Sequence, residues 1–135
     1  TNLGWSQEAI TFLFHNHGLL AYREEFRSID VDTKTGMFTE SRHAERLMQK
    51  GIQRIANHLT DGGLVMASTF RDWDPKKSLH AVLLIGVERE GGKITGFYFH
   101  DPDTEIERRN DKFIPIDEFT KQWRKMAIFI EKLDV

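Results

Sequence analysis

His80 and Asp101 are the residues of this sequence whose types and spacing best suit proton-transfer chemistry. They sit at the open ends of two apolar segments, residues 80–87 and 94–100, which flank a turn around Glu90-Gly91-Gly92 and read as an antiparallel hairpin. A turn centred between Glu90 and Gly91 sets His80 opposite Asp101, and a shift of one residue sets it opposite Asp103. Either way, imidazole and carboxylate share one face, because side chains alternate along a strand and cross-strand neighbours lie about 5 Å apart. An aspartate bonded to one ring nitrogen fixes the tautomer and stabilises the imidazolium, as in nucleophile–His–Asp systems. The same spacing also suits a surface ion pair worth about 0–1 kcal/mol.

A nucleophile is harder to find. The chain holds no cysteine, and this excludes disulfides, thiolate metal sites and an internal thiol nucleophile. Ser6, at the start of an expected helix, is the best internal candidate, and its ordinary role there is an N-cap. The six histidines do not make a metal site: His15/His17 and His43/His58 lack ligand spacing on one helical face, and no His-Glu-x-x-His occurs. The run Asp30-Val31-Asp32-Thr33-Lys34 places a lysine where a calcium loop needs an oxygen ligand. No metal and no cofactor is expected.

The elements that must position His80 and Asp101 follow from hydrophobic periodicity. Residues 6–18 read as a helix stopped by Gly18, with Trp5 stapled on Ile10. Residues 19–22 read as a strand and 23–39 as a loop. Ala44, Leu47, Met48, Ile52, Ile55, Ala56 and Leu59 recur at helical spacing within 41–59. The segment 64–70 reads as a strand buried on both faces, and 71–79 as a polar loop. After the hairpin comes a charged loop, residues 103–112, and then the extended run Phe113-Ile114-Pro115-Ile116. Asp117 is expected to cap a short helix that carries Phe119 and Trp123 into the core. Residues 126–130 read as the last strand. Helices first and strands late give an α+β class with an antiparallel sheet.

At 135 residues, a single domain spanning 1–135 is expected, long enough to bury a core without staples. The formal net charge is -2, with both signs interspersed, so no nucleic-acid partner is expected. No apolar run approaches the ~18 residues of a membrane span. The first residue is Thr1 rather than methionine, from which a segment upstream is expected.

Four motifs carry a family resemblance: Gly62-Gly63-Leu64-Val65-Met66-Ala67-Ser68, the run from His80 to Val87, Phe97-Tyr98-Phe99-His100-Asp101-Pro102-Asp103, and Ile114-Pro115-Ile116-Asp117-Glu118-Phe119 with Trp123. In order and spacing they resemble papain-like cysteine peptidases of the bacteriocin-processing type, peptidase family C-thirty-nine and its broader relatives. The resemblance implies a papain-like fold, with helices packed on a mainly antiparallel sheet and the first, cysteine-bearing helix missing from the chain. It implies His80 as general base and acid, Asp101 as its orienting partner, and a peptide or protein substrate. The cysteine, and the glutamine before it, would lie upstream of Gly4, which places Ser6 on the wrong helix. The loop 71–79 could border the substrate cleft with Trp73, or be an ordinary solvated connection. A missing helix would leave apolar surface to be covered by a companion segment or a homodimer. The alternative is a non-catalytic domain that binds extended or unfolded peptide.

Overall fold

The computed structural model describes residues 18–102 and 112–132. The expected helix over 6–18, with Ser6, His15 and His17, lies outside the described residues, as does Asp103. The strands are β1 (Leu19–Glu25), β2 (Ile29–Val31), β3 (Phe38–Glu40), β4 (Leu64–Phe70), β5 (Leu79–Glu90), β6 (Lys93–His100), β7 (Lys112–Pro115) and β8 (Met126–Lys132). The helices are α1 (Ala44–Thr60) and α2 (Ile116–Gln122). This is an α+β arrangement: six strands in the order β1-β8-β4-β5-β6-β7, every neighbouring pair antiparallel, and a separate two-stranded β2–β3 sheet. Among the described residues, no helix is long and apolar enough to cross a membrane.

One face of the large sheet is covered by both helices. α1 buries Met48, Ile52, Ile55, Ala56 and Leu59 against Val65 and Ala67 of β4, Val82 and Leu84 of β5, and Phe129 of β8, which is what its helical spacing dictates. α2 sets Phe119 and Trp123 into the same core, with Phe119 edge-on to Phe97 at 4.9 Å. Gly51 lets α1 approach closely. A Cβ there would lie 2.7 Å from Phe26 Cγ and 2.8 Å from Trp123 Cη2. On the other face, a smaller cluster gathers Ala21, Ile128 and Ile130.

Four expectations need correction. Residues 23–39 are not one loop: β1 runs on to Glu25 because it pairs with β8 along its whole length, and Val31 pairs with Phe38 in the β2–β3 hairpin. Strands therefore precede α1 instead of clustering late. β4 is not sealed on both faces, since Leu64, Met66 and Phe70 are only half-buried. Asp117 does not cap α2. Pro115 takes the N-cap position with no side-chain bond, and Asp117 sits in the first turn, where its charge suits the helix dipole.

The β5–β6 turn is Gly91-Gly92, both at positive φ (56° and 82°), with Glu90 paired to Lys93. The hairpin thus takes the second of the two expected registers, shifted by one residue, because glycine takes up two successive left-handed positions without cost. Two bulges interrupt the ladder. Ile85 is skipped on β5 between Leu84 and Gly86, and Thr95 is skipped on β6 between Ile94 and Gly96.

Candidate active site

β5 and β6 bring His80 and Asp101 together. The ladder ends at Leu83 opposite His100, so its continuation sets Asp101 across from Val82, two residues from His80 and on the same face. The partners are thus diagonal and not directly opposite, a separation that an imidazole and a carboxylate can span. His80 Nε2 lies 2.8 Å from Asp101 Oδ1, with the two side chains 8% and 9% exposed. That exposure separates the couple from a surface ion pair, since a shielded hydrogen bond between such groups is far stronger than a solvated one. With the Nε2 proton donated to the carboxylate, neutral His80 has Nδ1 as its proton-accepting nitrogen.

The neighbouring strand is itself anchored beside His80. Thr69 of β4 is the register partner of His80. It is fully buried, and its hydroxyl donates to the Gln122 carbonyl at 3.1 Å, which ties the end of α2 to the strand beside the imidazole. Nothing in the sequence marked Thr69 itself, which sits in an apolar strand one residue beyond the motif that ends at Ser68.

Trp73 is half-buried. Its ring is edge-on to Phe99 at 5.4 Å and tilted against Phe119 at 5.8 Å. Phe99 precedes Asp101 by two residues on the same face, and Trp73 packs on the core at that strand. The segment that carries the tryptophan begins with a short helical turn, Arg71–Trp73, and continues as a solvent-exposed connection through residues 75–79, as the polar loop reading expected. Asp72 and Trp73 are both left-handed, at φ 55° and 57°, a conformation rarely adopted by non-glycine residues. The Arg71 amide donates to the Ser78 carbonyl at 2.9 Å and closes the turn just before His80.

Lys77 Nζ bonds Asp72 Oδ2 at 2.6 Å across this turn. The hydrogen bond and charge of Lys77 hold the Asp72 carboxyl below the usual carboxylate range. A carboxyl depressed on folding contributes above its ordinary range and loses that contribution as pH falls through the lowered value. Lys77→Ala is expected to move the Asp72 titration to higher pH, read by NMR of its side-chain carboxyl carbon.

A family model described as papain-like cysteine protease AvrRpt2 matches residues 16–124. The chain belongs to that family. No curated protein and no solved structure gives a significant match. The AvrRpt2 family shares the papain-like cysteine protease class with the bacteriocin-processing type that the motifs resemble, and it is a different family within that class. Its match spans β1 to Arg124 and so includes His80, Asp101 and Trp73.

Proposed function

We propose that this chain supplies the base and its orienter in a papain-like cysteine peptidase that cleaves peptide bonds. His80 is the general base and acid, Asp101 holds it through Nε2, and the thiol comes from a cysteine outside these 135 residues. The observation that carries this reading is the 2.8 Å bond between two largely buried side chains in a chain whose family is papain-like. His80 Nδ1 would take the thiol proton, the thiolate would attack the substrate carbonyl, and the imidazolium would return the proton to the leaving amine. Asp101 stabilises that imidazolium and keeps Nδ1 aimed at the nucleophile. Trp73 borders the cleft.

The test is the complete open reading frame expressed with its natural upstream codons. A cysteine in the upstream segment, labelled by an iodoacetamide probe in wild type and labelled at least tenfold more slowly in His80→Ala, supports the reading. No upstream cysteine, or one whose labelling ignores His80, overturns it. The second reading, peptide binding without cleavage, is favoured by the count of zero cysteines. It would be supported by peptide binding to the complete protein without turnover.

A further inference from the structure

The site so far has chemistry but no substrate preference. A groove of about 430 Å³ runs along the C-terminal end of α2, where Lys121, Arg124 and Lys125 meet Phe70, Trp123 and Met48. Arg27 and Glu45 complete its charged lining. Arg27 is engaged by Glu25 at 2.6 Å, and Lys121 and Arg124 carry the positive charge at the end of α2. Arg124 lies over the Phe70 ring, its guanidinium carbon 5.9 Å from the centroid.

The groove adjoins the His80 end of the sheet. Phe70 is the register partner of Leu79, and Thr69 that of His80. Gln122, which lines the groove, accepts the Thr69 hydroxyl, and the Arg124 amide donates to the Ser68 carbonyl at 2.9 Å. Neighbouring antiparallel strands lie about 5 Å apart. The groove therefore begins one strand away from His80, on the strand that pairs with it.

We propose that the groove is a specificity subsite for an acidic side chain next to a large apolar one, on the peptide whose cleavage is proposed above. Lys121 and Arg124 attract the carboxylate. Arg124 suits it best, since a guanidinium binds a carboxylate through two parallel hydrogen bonds. Phe70, half-buried at the end of β4, takes the apolar neighbour. This inference rests on the His80–Asp101 reading for its place in the cleft, but peptide binding needs no thiol.

The experiment uses the 135-residue chain and fluorescence anisotropy with two labelled peptides of one length, Glu-Leu repeats and their Gln-Leu counterparts. The acidic peptide is expected to bind at least tenfold more tightly at 50 mM salt. Lys121→Glu and Arg124→Glu, each checked by thermal melting, should each erase that preference. Arg46→Glu and Lys50→Glu alter a second groove between α1 and the β1–β8 end of the sheet, and should leave the preference intact. Equal binding of the two peptides overturns the proposal, as does a preference that survives both groove variants. Equal displacement by single-stranded DNA of matched charge also overturns it, by showing a general polyanion surface. Cleavage by the thiol-bearing protein with no acidic preference would sink the subsite alone. Selective binding with no upstream cysteine would sink the catalytic reading alone.

Discussion

Substituting His80 by alanine in the thiol-bearing protein is expected to lower kcat/KM for peptide cleavage by about 10⁴ or more, with KM nearly unchanged. General acid–base groups contribute about 10²–10⁴ by themselves, and His80 is proposed to do more, since it also generates the thiolate. The effect should fall on kcat, because an imidazole that is 8% exposed offers little surface for ground-state binding. Asp101→Asn keeps a polar group at 2.8 Å but admits the other imidazole tautomer, so a loss of about 10²–10⁴ is expected. Single-turnover kinetics separate these changes from product release. Retention of more than a tenth of wild-type turnover in His80→Ala would remove His80 from the mechanism.

The largest expected structural effect lies at Gly96. A Cβ there would collide with the Ile114 carbonyl oxygen and with the Phe113 ring. A flexible side chain could move aside, but a backbone carbonyl in the β6–β7 ladder cannot do so without breaking the pairing of Gly96 with Pro115 and Phe97 with Ile114. Gly96→Ala should therefore cost about 3 kcal/mol or more, at the upper end of overpacking losses. In a chain of 135 residues, that corresponds to a melting temperature lower by roughly 10 °C. β7 leads directly into α2, whose end anchors Thr69 beside His80, so activity should fall with stability. Gly86→Ala is the matched control. Its nearest neighbour would be Tyr98 Cδ2 at 3.6 Å, an ordinary contact, and thermal melting should show a far smaller loss.

The sequence was most legible where one period repeated. α1 followed from apolar residues at helical spacing, and the His80–Asp101 couple from two strands whose faces must alternate. It was least legible where long-range pairing overrode local signals. Residues 23–25 look polar and loop-like, yet they continue β1 because β8 pairs with them. Thr69 carries no local mark, and its position depends on α2 packing from fifty residues further along. The run Lys121-Gln122-Trp123-Arg124-Lys125 drew no functional reading from the sequence, since only the fold places it against Phe70 and the strand next to His80.

The two bulges of the β5–β6 hairpin have a consequence for how this protein can change over evolutionary time. The residue skipped at Ile85 on one strand is offset by the one skipped at Thr95 on the other, so the parity set at Gly91-Gly92 is restored before the chain reaches His80 and Asp101. A lone insertion or deletion between the turn and either partner would rotate one of them to the opposite face. Matched changes on both strands would keep them together. The two strands are thus bound to vary in length as a pair, and a hairpin grown or shortened in step could carry the same proton-transfer couple on a sheet of different depth.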